Sequence, residues 1–165
     1  MMNESLYTYY RSPVGLLKVG GTDQYISEIT FIDNEADIEQ VVSSNQLLTA
    51  AVEQLIEYFN GKRRSFTMPI HQNGTEFQGK VWGELLNIDF GKTINYMDLA
   101  KRLGNPKAIR AAASTNGKNK ICIVVPCHRV IGTNLGLVGY AGSLWRKKWL
   151  LSHENKIANG VQTLF

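Results

Sequence analysis

Alternating apolar and polar residues near the start of the chain predict a small antiparallel sheet. Residues 6–10, 16–19 and 25–32 are rich in β-branched and aromatic side chains, and Gly- and Pro-containing stretches separate them. Between residues 45 and 60, apolar side chains recur three or four positions apart, which predicts a helix that ends at Gly61. A fourth short strand over residues 65–70 would complete a small α/β unit.

Helical spacing returns at two places in the second half of the chain. Thr75 is predicted to N-cap one helix, with Trp82 on its core-facing stripe. A last helix is predicted from residue 144 to about residue 155, with Ser143 as its cap. At least one of its two tryptophans, Trp145 and Trp149, is expected to pack inward.

Two shorter helices are predicted between these. Residues 96–103 form the first, which closes at Gly104, and the second runs over residues 106–114 with Asn105 as its N-cap. Two short helices joined by a tight turn make a helix-turn-helix, whose second helix enters a DNA groove in binding proteins. The second helix, rich in alanine (Ala108, Ala111, Ala112 and Ala113), would then lie close in a DNA groove with Lys107 and Arg110 projecting, although helix pairs are also common in proteins that bind no DNA.

Length and charge divide the chain into two parts. Its 165 residues, 44% of them apolar, suffice for one large domain or two small ones, and the polar stretch 71–74 is the expected boundary. Residues 1–72 carry five Lys/Arg and nine Asp/Glu, a net charge of −4, whereas residues 73–165 carry thirteen and five, a net charge of +8. A basic half suggests a module that faces a polyanion, although an ordinary solvated surface has the same composition.

The chemistry centres on residues 121–132, where an apolar run leads through Pro126 to Cys127, His128 and Arg129. The run predicts a buried strand or core segment that stops at the proline. A thiol beside positive charge has a lowered pKa and becomes a thiolate nucleophile. We therefore expect Cys127 to be functional.

The other cysteine and the histidines indicate less. Cys122 is flanked by isoleucines, which favours a buried core residue, and a disulfide to Cys127 is not expected. No paired His/Cys spacing indicates a metal site, and no cofactor is expected. Residues 1–5 lack the features of a signal peptide and no stretch is long enough to span a membrane, so a cytoplasmic protein is expected.

Residues 126–130, Pro-Cys-His-Arg-Val after an apolar run, resemble the active-site motif of the O6-alkylguanine-DNA alkyltransferases. Further matches to that family occur at residues 74–82, 91–96, 104–111 and 149–154, and Asn119 stands eight residues before the cysteine. The resemblance covers most of residues 73–165. In residues 1–72 it extends only to size and to a β-rich start followed by a helix.

The resemblance implies a fold and a reaction. Residues 1–72 would form a ribonuclease H-like α/β scaffold domain with an antiparallel sheet and a helix. Residues 73–165 would form a mainly helical, winged-helix domain that binds DNA and carries the active site. Cys127 would take the alkyl group from guanine O6 in one irreversible turnover, with O4-alkylthymine in DNA as an open second substrate.

The resemblance also assigns roles to residues. Glu154 would orient His128, which would deprotonate Cys127 through a water, and Asn119 would hold the active-site turn. Tyr96 would donate a proton to the leaving guanine and crowd the 3′ phosphate as the nucleotide is flipped out. The base pocket would comprise Val130, Tyr140, Ala141 and Gly142.

Arg110 matches the intercalating arginine that fills the gap left by the flipped base. Contacts to DNA are further implied for Asn105, Lys107, Ala111 and Thr133. The sequence departs from the family pattern at Ala141, where many members have Ser, and at Ile109, which replaces a small residue. The expected partner is alkylated double-stranded DNA, with single-stranded DNA as an alternative, bound by a monomer away from membranes.

Two other classes of function stay open on the sequence alone. A helix-turn-helix regulator or a non-catalytic lesion sensor would bind DNA without a covalent product. A cysteine hydrolase would use Cys127 and His128 directly, although adjacent side chains rarely reach one another.

Overall fold

A computed structural model of the chain describes residues 5–38, 44–132, 140 and 143–160. The chain divides into two compact units, residues 1–72 and residues 73–165. The described residues form an α/β protein with a three-stranded antiparallel sheet and five α-helices. None of the helices described is both long enough and apolar enough to cross a membrane.

In the described part of the first unit, a sheet packs against one α-helix. Strands β1 (Leu6–Ser12), β2 (Gly15–Gly21) and β3 (Ile26–Ile32) lie in that order, each antiparallel to the next. Helix α1 (Gln46–Phe59) contacts all three strands. Its fully buried side chains and those of the sheet make the core of this unit: Leu17, Val19, Ile26, Ile29, Leu48, Ala51, Leu55 and Tyr58.

The ends of α1 follow from local chemistry. The Oδ1 atom of Asn45 accepts a hydrogen bond from the backbone N–H of Leu48 at 2.8 Å, which satisfies a donor that a helix start leaves free. Gly61, just after the helix, has a φ of +76°, which glycine adopts without steric cost. The three strands and this helix confirm the pattern predicted for residues 6–61.

The fourth strand predicted over residues 65–70 is wrong. Only Ile70 bridges to the sheet, opposite Ile26, which donates to the carbonyl of Pro69 at 2.8 Å and accepts from His71 at 2.9 Å. Pro69 has no N–H to extend the ladder, so the pairing stops after one residue.

The described part of the second unit contains four α-helices and two very short strands. They are α2 (Glu76–Leu85), β4 (Ile94–Asn95), α3 (Tyr96–Arg102), α4 (Ile109–Gly117), β5 (Val130–Ile131) and α5 (Leu144–Asn159). Strands β4 and β5 pair in parallel, with Ile94 opposite Val130. This pairing places the start of α3 beside the residues that follow Cys127.

Two capping boxes fix helix starts, and the cap at Thr75 is the one that the sequence predicts. Thr75 caps α2 in reciprocal hydrogen bonds with Gln78, and Asn95 caps α3 in the same way with Asp98. Trp82 is 7% exposed and donates its indole N–H to the carbonyl of Thr115 at 3.1 Å, so it joins α2 to α4 in the core.

Helices α3 and α4 pack together but differ in detail from the prediction. Residues Pro106–Ala108 form a 3₁₀ turn, and α4 begins only at Ile109 and continues to Gly117. The side chain of Asn105 caps this turn by accepting from the N–H of Lys107 at 3.1 Å. Ala112 is fully buried, so the expectation that it faces DNA is wrong, because the helical turn directs it into the core.

The apolar segment before Cys127 is buried, but it is not the strand considered from the sequence. Val124 N donates to Cys122 O at 2.8 Å and Val125 N donates to Ile121 O at 3.0 Å, so the chain turns back on itself. Ile123 lies at a φ of +74°, which is rare for a β-branched residue. The segment is therefore a tight turn in the core. The sequence analysis allowed a core segment as well as a strand, because a short apolar run does not distinguish the two.

Helix α5 also differs from expectation. Ser143 has a φ of +83° and its side chain makes no cap hydrogen bond. Trp145 is 53% exposed and Trp149 is partly exposed, whereas Arg146 and Lys147 between them are buried. The expected inward tryptophan is therefore wrong, because Trp149 instead stacks on His153 at 4.9 Å. A cavity of about 440 Å³ is lined on this outer face by Trp145, Lys148, Trp149, Ser152, His153 and Lys156.

Candidate active site

Cys127 begins a 3₁₀ turn, Cys127–Arg129, directly after the core turn. It is 2% exposed, and its backbone N–H donates to the carbonyl of Val125 at 2.8 Å. Pro126 separates the two turns and fixes the direction in which the chain leaves the first. The thiol is therefore held on rigid backbone inside the second unit.

Asn119 is the frame of this turn. Its Nδ2 atom donates to Sγ of Cys127 at 3.1 Å and to the carbonyl of Val125 at 2.8 Å. Its Oδ1 atom accepts from the backbone N–H of Ile121 at 3.1 Å. Asn119 is 4% exposed, so water does not compete for these bonds. One amide thus sets both the shape of the segment and the position of the sulfur.

The surroundings of Cys127 favour its thiolate. Contact with the Cys122 thiol is the largest effect that lowers the pKa of Cys127, and burial opposes it. The Asn119 amide, the positive charge of Lys147 and the backbone N–H lower this pKa further. The net pKa of Cys127 lies below its ordinary value, as a nucleophilic cysteine requires.

Lys147 is a site residue that the sequence interpretation missed. Its side chain is fully buried, and Nζ donates to the carbonyl of Val130 at 2.7 Å and lies 5.9 Å from the ring centre of Tyr96. Burial lowers the pKa of Lys147 to about 8, although the Cys127 charge raises it. The Lys147–Lys148 doublet gave no sequence signal of which lysine faces inward.

His128 and Glu154 form a buried pair. Nε2 of His128 lies 2.6 Å from Oε2 of Glu154, and the two side chains are 0% and 1% exposed. Burial lowers the pKa of His128, and the Glu154 carboxylate only partly opposes this. Nδ1 of His128 is buried and makes no hydrogen bond to the residues that the structure describes. A neutral imidazole with one nitrogen committed to a carboxylate has the other nitrogen available as a base.

Arg129 completes the group on the other side of the carboxylate. Its Nε donates to Oε1 of Glu154 at 2.8 Å, and Nη1 donates to the carbonyl of Ile88 at 2.6 Å. Burial would raise the pKa of Glu154, but His128 and Arg129 together hold this pKa well below its usual range. Gly91 N donates to Oε1 at 3.3 Å, and a Cβ on this glycine would collide with Ala158. The close approach of residue 91 to Ala158 therefore requires glycine. The only sign of this glycine in the sequence was the motif match at residues 91–96.

Tyr96, the first residue of α3, lies close enough to Cys127 for their charges to interact. Burial raises the pKa of Tyr96, the Cys127 charge raises it further, and a hydrogen bond with Asn116 lowers it, so the phenol keeps its proton at neutral pH. Asn116 is a second residue that the sequence interpretation missed. It is 1% exposed, and its Nδ2 donates to the carbonyl of Cys127 at 3.2 Å, which ties α4 to the nucleophile.

The predicted base-pocket residues are described in part. Val130 and Tyr140 are buried, whereas Ala141, Gly142 and the predicted DNA contact Thr133 lie outside the described residues. The carbonyl of Cys127 already accepts from Asn116 and from the N–H of Val130. The carbonyl of Val130 accepts from Lys147 and retains a second lone pair for a ligand.

The remaining predicted DNA contacts lie apart from this buried cluster. Asn105, Lys107, Arg110 and Ala111 are all exposed on the α3–α4 pair and the turn between its helices. Within the described part of the chain, no group of three His, Cys, Asp or Glu side chains gathers as a metal site. The arrangement therefore combines a stabilised thiolate and a buried imidazole–carboxylate pair with an exposed, basic helix surface.

Two protein-family models match the chain. One is described as the DNA binding domain of 6-O-methylguanine DNA methyltransferase and matches residues 76–156. The other is described as the ribonuclease-like domain of the same methyltransferase and matches residues 5–72. Together they cover both compact units.

Individual relatives agree with the family models. A methylated-DNA–protein-cysteine methyltransferase of Methanosarcina acetivorans is 40% identical over 151 residues, which cover 90% of this chain and 97% of that protein. The crystal structure of the Mycobacterium tuberculosis O6-methylguanine methyltransferase aligns with a TM-score of 0.85 at 35% identity, covering 96% of this chain and 97% of the other. The structure of Mycobacterium tuberculosis OGT in complex with DNA aligns with a TM-score of 0.83 at 36% identity, covering 92% and 94%.

Proposed function

The chain belongs to the methylated-DNA–protein-cysteine methyltransferase family, and on this premise we propose that it repairs DNA by taking the alkyl group from O6 of alkylated guanine onto Cys127. The observation that carries the proposal is the buried Cys127 sulfur, which Asn119 holds at 3.1 Å and whose pKa its neighbours lower. The product is a thioether, which the site has no means to cleave. Each molecule therefore acts once.

The reaction is a displacement at carbon. The Cys127 thiolate attacks the alkyl carbon bonded to O6. A sulfur–carbon bond forms, the carbon–oxygen bond breaks, and its electron pair stays on O6 of the leaving guanine. A soft thiolate suits attack at an alkyl carbon, and the buried site strips it of the water that would weaken its attack.

His128 and Glu154 provide the base for the thiol proton. The His128 ring commits Nε2 to Glu154, which leaves Nδ1 to receive the Cys127 proton through a bridging water. Glu154 stabilises the imidazolium that forms, because its own pKa is held low and it stays ionised. This is a nucleophile–base–orienter chain, without direct contact between Cys127 and His128.

Tyr96 completes the proton balance at the leaving group. Its raised pKa keeps the phenol protonated, so it donates to the guanine as negative charge develops there. Tyr96 becomes negatively charged when it gives its proton to the guanine. His128 becomes positively charged when it takes the proton of Cys127, so the net charge of the site does not change. Lys147 holds the carbonyl of Val130, whose second lone pair reads the exocyclic amine of guanine. The pocket closes with Tyr140, Ala141 and Gly142.

The exposed face of α3 and α4 binds the duplex. Guanine O6 is buried in the base stack of the duplex, so the nucleotide must be flipped out before it can react. Arg110 projects from α4 and fills the gap in the stack, while Tyr96 crowds the adjacent phosphate. Exposed Ala111 permits close approach to the groove, and Asn105, Lys107 and Thr133 contact the backbone. The charge of +8 in residues 73–165 supports this assignment.

We extend the proposal to the finer architecture. Residues 1–72 form a ribonuclease H-like scaffold domain, and residues 73–165 form a winged-helix domain that binds DNA and accepts the alkyl group. The protein acts as a monomer on cytoplasmic DNA, single-stranded as well as double-stranded, and has no cofactor. The description of the matching model for residues 5–72 as ribonuclease-like supports the first part.

Intact mass after incubation with DNA that contains O6-methylguanine tests the reaction. We expect one methyl group per molecule, located on Cys127 by peptide mapping, and none on the Cys127→Ser variant. This variant retains Cys122, so it also controls for transfer to the other thiol. An unchanged mass of the wild type, or the same gain on the variant, would refute the proposal.

A further inference from the structure

We propose that the outer face of α5 is a second nucleic-acid-binding surface, at which single-stranded DNA stacks its bases on two tryptophans and places its phosphates on two lysines. The proposal goes beyond the proposed function, which uses the buried thiol and the α3–α4 surface. The described residues that line the cavity of about 440 Å³ on this face are called the α5 groove: Trp145, Lys148, Trp149, Ser152, His153 and Lys156.

The α5 groove is one continuous stripe along its helix. Its positions recur at three- and four-residue intervals from Trp145 to Lys156, which places them on one side of α5. Residues between them, among them Lys147, Leu151 and Glu154, are buried. One helix therefore supports the active site with its inner face and carries the α5 groove on its outer face.

Trp145 is an exposed aromatic ring that the protein supports. It is 53% exposed, whereas Trp82 in the same unit is 7% exposed. The guanidinium carbon of Arg146, a residue only 4% exposed, lies 4.9 Å from the ring centre of Trp145. An indole that is supported in this way and still half exposed can stack on a base, because every base has a π face.

Trp149 adds a second ring to the groove. Its ring centre lies 4.9 Å from that of His153, and the two planes are 22° apart, so the rings are stacked. Both residues are partly buried, which orients the pair before a ligand binds and reduces the entropy lost on binding. Trp145 and Trp149 are four residues apart, about 6 Å along the helix axis, so neighbouring bases of one strand can reach both rings.

The charge of the groove favours a polyanion. Lys148 and Lys156 are exposed, and no Asp or Glu is among the described residues that line the groove. The one carboxylate of α5, Glu154, is 1% exposed and bound to His128 and Arg129. The two lysines are eight residues apart, about 12 Å along the helix axis, so one strand can place a phosphate at each while its bases stack between them.

The composition of the groove suits a single strand of nucleic acid better than a lipid surface. A helix that lies in a membrane interface needs a broad apolar face. Two of the three leucines of α5, Leu150 and Leu151, are buried in the core instead. The groove interleaves aromatic and basic side chains, as surfaces that bind single strands without sequence preference do.

Photochemical cross-linking tests where the strand lies. The full-length protein is irradiated with a single-stranded oligonucleotide that carries 5-iododeoxyuridine and no alkylated base, and the cross-linked peptides are identified by mass spectrometry. We expect adducts on Trp145 or Trp149. The absence of adducts from both tryptophans would refute the proposal. Because the DNA is undamaged, this outcome does not depend on the repair reaction.

Affinity shows whether the rings contribute to binding. A fluorescent, undamaged oligothymidylate is titrated with protein and its anisotropy is measured. Trp145→Ala should weaken binding about fivefold or more, the usual effect of losing one base–aromatic stack, whereas Trp145→Phe should keep most of the affinity. Leu144→Ala is the matched control, since Leu144 is 52% exposed on the same helix but does not line the groove. Equal affinities of Trp145→Ala and Leu144→Ala would contradict the stacking role.

The lysines are tested by the salt dependence of the same binding. Each phosphate contact to a single strand contributes about 0.7 to the slope of log affinity against log salt concentration. Lys156→Ala should therefore make this slope shallower by about that amount, and Lys80→Ala, at an exposed residue of α2, should leave it unchanged. A wild-type slope for Lys156→Ala would exclude the phosphate contact.

Two other occupants of the groove would give different results. Tryptophan fluorescence that responds to vesicles of anionic phospholipid, but not to oligothymidylate, would assign the groove to a membrane surface. Self-association in sedimentation that Trp145→Ala abolishes, without loss of DNA affinity, would assign it to a second copy of the chain. Either result would overturn the proposal.

Discussion

Oε2 of Glu154 lies 2.6 Å from Nε2 of His128, and neither side chain is exposed. The guanidinium of Arg129 binds the same carboxylate from its other side at 2.8 Å. Because His128 and Arg129 hold its pKa well below the usual range, Glu154 stays ionised and accepts a hydrogen bond from Nε2–H. The carboxylate thus fixes the imidazole with its Nδ1 free of a proton.

Replacement of Glu154 by Gln should slow alkyl transfer. The variant cannot stabilise the imidazolium, so we expect the single-turnover rate to fall by about 10²-fold or more, the usual contribution of a general base. The measurement is rapid-quench methyl transfer to Cys127 at neutral pH. Glu76→Gln, at an exposed residue of α2, is the matched control and should retain the wild-type rate. Equal rates in Glu154→Gln and the control would exclude the orienting role.

Glu154 should also make stability depend on acid pH. Its pKa is depressed in the folded state, so its contribution is present above the unfolded pKa of about 4.3 and is lost as pH falls towards the folded pKa. Urea unfolding between pH 5 and pH 3 should show a steeper loss of unfolding free energy for the wild type than for Glu154→Gln. Parallel curves for the two proteins would contradict the depressed pKa.

The adjacent lysines Lys147 and Lys148 make a matched pair on α5. Lys147 is buried, binds the carbonyl of Val130 and lowers the pKa of Cys127, whereas Lys148 is exposed. We expect Lys147→Met to raise the pKa of Cys127 and to slow reaction with free O6-methylguanine roughly tenfold at neutral pH. Lys148→Met should react like the wild type. The check is the rate against pH, and a wild-type profile for Lys147→Met would exclude the electrostatic role.

Local signals in the sequence predicted much of the fold. Thr75 is an N-cap as predicted, because a short polar side chain before an apolar period satisfies the free N–H groups of a helix start. Gly61 and Gly104 end their helices with positive φ, again as predicted. These signals act over a few residues, so they can be read without the tertiary structure.

The features that the sequence did not predict depend on contacts with residues elsewhere in the chain. Lys147 is buried, although lysine is usually exposed, because its ammonium group donates a hydrogen bond to the carbonyl of Val130. Trp149 is only partly buried, although tryptophan is usually a core residue, because its ring stacks on His153. Ile123 occupies a left-handed turn that no propensity favours, because Asn119 binds the backbone on both sides of it. The sequence motif located Cys127, but the residues that tune it are set by tertiary contacts.

Asn119→Asp should separate shape from hydrogen-bond donation. The carboxylate can still accept from Ile121 N, but it places negative charge against Sγ of Cys127 and the carbonyl of Val125. We expect a raised pKa of Cys127, seen as a higher pH midpoint of alkylation, and an unfolding free energy lower by about 1–3 kcal/mol. Asn87→Asp, at an exposed position, is the control. Wild-type stability and midpoint in Asn119→Asp would show that the donor is dispensable.

Arg110→Ala should separate DNA handling from chemistry. Arg110 is exposed on α4, whereas the thiol and its supporting side chains are buried. Loss of the side chain that fills the base stack should slow repair of duplex DNA by at least tenfold, a barrier change of about 1.4 kcal/mol. Reaction with free O6-methylguanine should be nearly unchanged, because no base has to be flipped. Lys80→Ala, at an exposed residue of α2, should leave both rates as in the wild type. Equal losses on duplex and free base would mean that Arg110 supports the active site rather than base flipping.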